Sequence, residues 1–171
     1  MANDSIHKGL DIIGEFIVLR LKETLGFTDQ NHNATGKLNE SIRYETLISG
    51  NSFEINIWAL DYAKKVDEGQ PEGTVVSIDV LLKWMENRGI ARGEPDIRAV
   101  AFAIQRAIIK EGTPTSGSLK YSRNKKRTEF IKVTIDANAK IIFQMVLDLF
   151  KTEFTVSLTN TIRKQQQTFR S

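Results

Sequence analysis

Residues 58–73 separate two kinds of sequence pattern in this chain. Directly before this stretch, apolar and polar residues alternate with a period of two, which indicates β-strands. After it, apolar residues return every three or four positions, which indicates helices. The stretch itself carries charged residues and ends in a Gly-Gln-Pro-Glu-Gly turn. This pattern favours an α+β fold in which strands and helices occupy separate segments.

The segment before residue 58 predicts a helix followed by a hairpin. In residues 6–25, apolar side chains lie three or four positions apart, as on a helix with one buried face. Residues 42–48 and 53–59 then alternate apolar and polar side chains around a Gly-Asn pair, which is typical of a β-hairpin. Because one face of this hairpin is apolar, we expect a helix to cover it.

The segment after residue 73 predicts further helices. The first begins after Ser77 as N-cap and ends at Gly89. The second starts at Glu94-Pro95-Asp96, where proline fits the first turn, and ends at Gly112-Thr113-Pro114. Residues 113–124 have the glycine, serine and proline content of a loop. Residues 128–154 then predict a long helix.

The end of the chain leaves two interpretations open. Phe154, Val156 and Leu158 alternate with polar residues and suit a terminal strand, while the residues after Arg163 suit a frayed tail or an arm. We therefore predict an α+β fold with an N-terminal helix, a small antiparallel sheet built on a hairpin, and two or three helices including a long C-terminal one. Residues 1–120 form the α+β domain, and residues 121–171 form a helical extension, with a terminal strand or arm, packed as part of it.

Composition excludes several classes of site. The chain has 171 residues and no cysteine, so it has no disulfide, thiolate nucleophile or Cys-based metal site. Its two histidines, His7 and His32, lie in different predicted elements and are expected to be exposed to solvent. There is no G-x-S-x-G elbow, phosphate loop or dinucleotide fingerprint, and we predict no cofactor and no enzyme activity. No apolar run is long enough to span a membrane.

Two charged clusters could carry chemistry. Asp61, Asp67 and Glu68 could act as paired carboxylates, but we favour the simpler reading that they solvate a turn. The second cluster is a basic run that could contact phosphates without reading sequence, or could be a solvated loop. Positive charge near a helix N-terminus is unfavourable, which favours an anionic partner. The candidate contacts are Lys120, Arg123, Lys125, Lys126 and Arg127.

Four short segments carry a resemblance to a known family. They are residues 35–42 (TGKLNESI), residues 62–69 (YAKKVDEG), Trp84 with residues 88–90 (RGI), and residues 112–114 (GTP). In order and spacing they resemble the tail-component family of tailed bacteriophages, small neck or tail-completion proteins that sit between the capsid portal and the tail.

The resemblance implies a structural virion protein, assembled in the host cytoplasm, that forms a ring homo-oligomer around the DNA channel. Its implied partners are copies of itself, portal or adaptor proteins and tail proteins, with packaged DNA as a nonspecific contact and no membrane. Candidate subunit-interface residues are Trp58, Tyr62, Phe154 and Val156, and in an oligomer Trp58 could anchor the contact because tryptophan is common at interface hot spots. The alternative function is a sequence-nonspecific DNA-binding protein that uses the basic run.

Overall fold

A computed structural model describes residues 2–27, 35–50, 52–90, 96–119 and 129–168. Its elements in chain order are α1 (Ala2–Phe27), α2 (Lys37–Ser41), β1 (Arg43–Ser49), β2 (Ser52–Trp58), α3 (Ala63–Glu68), α4 (Ile78–Arg88), α5 (Ile97–Glu111), α6 (Ser116–Leu119) and α7 (Phe130–Thr168). The predicted α+β architecture is confirmed, with an N-terminal helix, a two-stranded antiparallel hairpin and several helices of which the last is long.

Contacts within the chain divide it into two compact units. The first comprises positions 1–20, 43–58 and 134–171, and the second comprises positions 21–42 and 59–133. The assignment of residues 121–171 to an extension of one domain stays a prediction.

In the first unit, helices cover the apolar face of the hairpin. Opposite residues of an antiparallel pair share a face, as do alternate residues along each strand. The face so formed contains Tyr44, Thr46, Ile48, Phe53, Ile55 and Ile57. The Thr46 hydroxyl donates to Asp11 of α1 at 2.8 Å, and the Phe53 ring meets Phe150 of α7 edge to face at 5.2 Å. The prediction that a helix covers this face is confirmed.

Two glycines let α1 approach its neighbours closely. A Cβ added to Gly14 would lie 2.5 Å from the ring of Tyr44, and one added to Gly9 would overlap the side chain of Leu149 in α7. Between them, Ile13 is only 1% exposed. The helix therefore lacks a side chain at two points where side chains of β1 and α7 pack against its backbone.

In the second unit, α4 and α5 pack as a pair, and each helix has a side-chain N-cap. Ser77 Oγ accepts a hydrogen bond from the Val80 N–H at 3.3 Å, and Gly89 ends α4 in the left-handed conformation with φ of 62°. Asp96 Oδ1 accepts from the Ala99 N–H at 2.9 Å at the start of α5. The predicted cap and stop of α4 are confirmed. The buried core of the pair is Leu81, Met85, Ala101 and Ile108.

The end of the chain differs from the sequence prediction. Phe154, Val156 and Leu158 lie in α7, so the terminal-strand interpretation is wrong, and the tail predicted to fray after Arg163 is helical as far as Thr168. The alternation of threonine with apolar residues imitates a strand. In the helix, however, threonine hydroxyls at positions 155 and 159 donate to carbonyl oxygens four residues earlier, both at 2.8 Å.

Three short helices are not predicted by the sequence patterns. These are α2, α3 and α6, each of six residues or fewer, in segments whose polar and glycine residues are typical of strand entries, turns and loops. A helix this short has no long-range periodicity to reveal it. Residues 28–34, which include His32, lie outside the described residues.

Candidate functional site

The candidate contacts of the predicted basic run, which spans residues 120–132, fall on residues that the structure does not describe. Lys120, Arg123, Lys125, Lys126 and Arg127 all lie between the described ranges. Lys132, the last residue of the run, is exposed near the start of α7. A phosphate contact by this run therefore stays a prediction.

Asp67 caps the start of α7. Its Oδ1 accepts a hydrogen bond from the backbone N–H of Ile131 at 2.9 Å, and its carbonyl oxygen accepts one from Glu129 at 3.2 Å. The first N–H groups of a helix have no partner within that helix, so a carboxylate 64 positions earlier in the chain takes the place of a local N-cap. Burial raises the pKa of the Asp67 carboxyl, the Ile131 N–H opposes this shift, and Glu68 adds to it.

The prediction that the carboxylates of this region solvate a turn is wrong for Asp67, which is only 9% exposed. Asp61 and Glu68 are exposed, and Glu68 lies 3.8 Å from the Lys64 ammonium one helical turn earlier. One signal was available: Asp67 lies four positions after Ala63, on the same face of a helix. The sequence alone does not show which distant part of the backbone that face contacts.

A backbone joint connects the segment after α3 with the end of α5. The Gln70 N–H donates to Thr113 Oγ1 and the Thr113 N–H donates to the Gln70 carbonyl, each at 2.8 Å. The Gly73 N–H donates to the Ile109 carbonyl, also at 2.8 Å. Gly112 has φ of 71°, and a Cβ there would overlap the Gln70 carbonyl oxygen. Glycine is therefore required on both conformational and steric grounds.

The four segments that carry the resemblance all lie in the second unit, and two of them flank this joint. Residues 62–69 run directly into it, and residues 112–114 form its other side. In the first segment, Ser41 Oγ accepts from the Leu60 N–H at 3.2 Å, and in the third, Gly89 ends α4. All four segments thus include residues that fix the fold of the second unit.

A polar cluster that the sequence did not indicate links α1 to β1. His7 Nδ1 lies 3.4 Å from Asp11 Oδ2 and 3.3 Å from Thr46 Oγ1, while the Thr46 hydroxyl donates to Asp11 Oδ1 at 2.8 Å. A nucleophilic triad needs the imidazole between hydroxyl and carboxylate, with one ring nitrogen for each. Here both groups approach the same nitrogen and bond to each other directly. The cluster therefore gives the hydroxyl of the buried Thr46 a hydrogen-bond acceptor, and its side chains are not arranged to activate that hydroxyl as a nucleophile.

The four candidate interface residues all have exposed side chains. Trp58 is 48% exposed, Tyr62 41%, Phe154 70% and Val156 50%. The indole N–H of Trp58 donates to Glu45 Oε2 at 3.2 Å, which holds the ring across the outer face of the hairpin. In a helix, residues two apart differ by about 200° in direction. Phe154 and Val156 therefore point to opposite sides of α7, and only one of them can belong to a given contact.

The side of α7 that carries Phe154 forms an exposed apolar surface. Leu149 packs near Gly9 of α1, so one side of the helix faces the rest of the first unit. The opposite side carries five large apolar side chains that are 46–70% exposed. We call this set the outer stripe: Phe143, Leu147, Phe154, Leu158 and Ile162.

The parts of the chain described by the structure hold no group of three His, Asp or Glu side chains placed to bind a metal ion. Among the same residues, no helix is long and apolar enough to cross a membrane. No protein-family model, curated protein or solved structure matches the chain.

Proposed function

We propose that this chain is a structural virion protein of a tailed phage, a neck or tail subunit that forms an oligomeric ring between portal or head-closure proteins and the tail. The observation that carries the proposal is the resemblance of residues 35–42, 62–69, 84–90 and 112–114 to the tail-component family, in order and spacing. In this fold the same segments supply caps and joints of one unit, which supports a shared architecture as the reason for the resemblance.

The exposed side chains of this protein also support an assembly role. Trp58 and Tyr62 are both more than 40% exposed although each carries a large aromatic ring. Aromatic rings at a surface are typical anchors of protein–protein contacts. A subunit that is always incorporated into a larger particle would have these rings covered.

Particle incorporation tests the proposal. The protein would be located by gold-labelled antibody and electron microscopy on virions produced in its host, and purified portal and tail proteins would be tested for binding. We expect label at the neck or tail, and loss of incorporation for the Trp58→Ala, Tyr62→Ala double variant. Val75→Ala, which changes a side chain that is 70% exposed elsewhere, is the matched control. Particles without label, together with no binding to portal or tail proteins, would refute the proposal.

Nonspecific DNA binding by the basic run is the alternative proposal. It predicts a gel shift of generic duplex DNA that weakens steeply with added salt, because bound phosphates release counterions. Replacing Lys125, Lys126 and Arg127 by alanine should abolish the shift. A variant with the same charge change at Lys8, Lys83 and Lys110 should retain it. Equal binding by both variants would remove this alternative.

A further inference from the structure

We propose that the outer stripe of α7 binds the same stripe on a second copy of this chain, with the two helices antiparallel. This contact goes beyond the proposed function. A ring is closed by head-to-tail contacts between two different surfaces, whereas here one surface meets itself about a two-fold axis. It would operate in the purified protein, whether or not the protein enters a particle.

The size of the outer stripe is the first argument. Phe143 and Phe154 are 64% and 70% exposed. For side chains of about 200 Å² each, this is roughly 270 Å² of apolar surface from two residues. Leu147, Leu158 and Ile162, which are 46%, 49% and 46% exposed, add to it. The stripe thereby approaches the upper end of the roughly 300–600 Å² of the largest apolar patch on a typical monomer, and such patches mark interaction sites.

The spacing of the stripe is the second argument, and it selects a second copy as the partner. Phe143, Leu147, Phe154 and Leu158 are separated by four, seven and four positions, so the pattern is symmetric about a point between residues 150 and 151. When an identical helix is laid antiparallel about that point, Phe143 meets Leu158 and Leu147 meets Phe154. Every large ring is then opposed by a smaller aliphatic side chain, which is the alternation that lets facing layers interdigitate.

The charges beside the stripe are compatible with the antiparallel orientation, which rests on the spacing. Lys151 lies within the stripe, one turn after Leu147, and Asp148 lies at one edge of it. With a two-fold axis perpendicular to both helices, each edge of the stripe lies beside the same edge of the other copy. Lys151 of one chain then lies about one residue, or roughly 1.5 Å along the helix axis, from the level of Lys151 of the other chain, and about two residues, or roughly 3 Å, from the level of its Asp148. Each Asp148 carboxylate is thus placed to offset the repulsion between the two lysines.

The contact area is near the lower limit for a specific interface. Stable interfaces bury at least about 600 Å² on each partner, and the stripe reaches this value only with its flanking polar side chains. Because area alone does not set affinity, we take a dissociation constant of about micromolar order, the weak end of the range for specific interfaces, as the value to test. We therefore expect a dimer whose population depends on protein concentration.

Analytical ultracentrifugation of the purified full chain from about 1 to 100 µM tests the proposal, since a micromolar dimer changes population across this range. Wild type should shift from monomer to dimer. Phe154→Glu should raise the dimer dissociation constant at least about tenfold, as loss of a central aromatic anchor does. Val75→Glu, at an equally exposed position, should leave it unchanged. Circular dichroism establishes that each variant is folded. A wild type that is monomeric throughout would overturn the proposal.

Disulfide trapping tests the orientation, because the chain has no cysteine of its own. Leu147→Cys and Phe154→Cys chains are oxidised separately and then as a mixture. The antiparallel pair predicts a disulfide-linked dimer in the mixture and little in either variant alone, since each residue is then about 10 Å from its own copy along the axis. Strong cross-linking of each variant alone would overturn the antiparallel arrangement. Equal cross-linking in all three samples would indicate random collision and would also overturn it. The proposed function is tested separately by particle incorporation, so failure of the dimer tests does not refute it.

Discussion

Removal of the Asp67 carboxylate should destabilise the protein although no apolar contact is lost. In Asp67→Ala, the Ile131 N–H loses the acceptor that lies 2.9 Å away. Loss of an N-cap costs about 1 kcal/mol, and an N–H left without an acceptor adds to this where water is excluded. Asp67 is 9% exposed, so we expect a total decrease of about 1–2 kcal/mol in the free energy of unfolding. For a chain of this size the Tm should fall by about 2–8 °C.

Asp67→Asn is the matched control, because asparagine is as good an N-cap as aspartate and has the same shape. Urea denaturation followed by circular dichroism measures both variants. At neutral pH we expect Asp67→Asn to lie within about 0.5 kcal/mol of wild type, since the side-chain oxygen can still accept from Ile131. If Asp67→Ala is as stable as wild type, or if asparagine is as damaging as alanine, the capping role is refuted.

The same pair of proteins tests the pKa of Asp67. Burial raises this pKa in the folded protein, so the folded state favours the protonated carboxyl. The resulting stabilisation is complete below the unfolded-state pKa of about 3.9, and is lost as the pH rises through the raised folded-state pKa. Because asparagine does not titrate, the stability of wild type relative to Asp67→Asn should decrease from pH 4 towards pH 7. An increase over that range would contradict the assignment.

Two further substitutions test contacts within single units. Gly112→Ala places a side chain on a residue in the left-handed conformation and against the Gln70 carbonyl, so it should lower the free energy of unfolding in urea by more than about 1 kcal/mol. Gly26→Ala has open space around it and should be neutral or stabilising. Equal effects of the two substitutions would refute the steric argument. Thr46→Val keeps the shape of the side chain but removes the donor to Asp11, so it should lower the free energy of unfolding by about 1 kcal/mol. An unchanged or raised value would show that this hydrogen bond does not stabilise the fold.

The long elements of this fold could be predicted because their signals are local. Apolar spacing over many turns marks α1, and the alternation around Gly50 marks the hairpin. Ser77 and Gly89 bound α4 because an N-cap and a left-handed glycine act on the residues beside them. Near Phe154, threonines alternate with apolar residues, so the local sequence suits both a strand and a helix. The segment is helical in the structure.

The features that depend on distant partners could not be predicted. Asp67 acts on a helix that begins more than sixty positions later, and Thr46 is satisfied by side chains of α1. The outer stripe could be predicted from the sequence only in part. The sequence pattern places Phe154 with Val156 and Leu158 on a strand, and only the helical geometry places it beside Leu147.

The glycines of α1 have a consequence for the time order of folding. Each glycine in a helix interior lowers the stability of the isolated helix by about 1 kcal/mol relative to alanine, and α1 carries Gly9 and Gly14 at the places where close neighbours need the space. An isolated α1 should therefore be mostly unfolded, and its structure should form only as β1 and α7 come into place. We expect Ile13→Val to accelerate unfolding while leaving the folding rate nearly unchanged, a φ-value near zero in stopped-flow measurements. The helix that comes first in this sequence would then be among the last to become ordered.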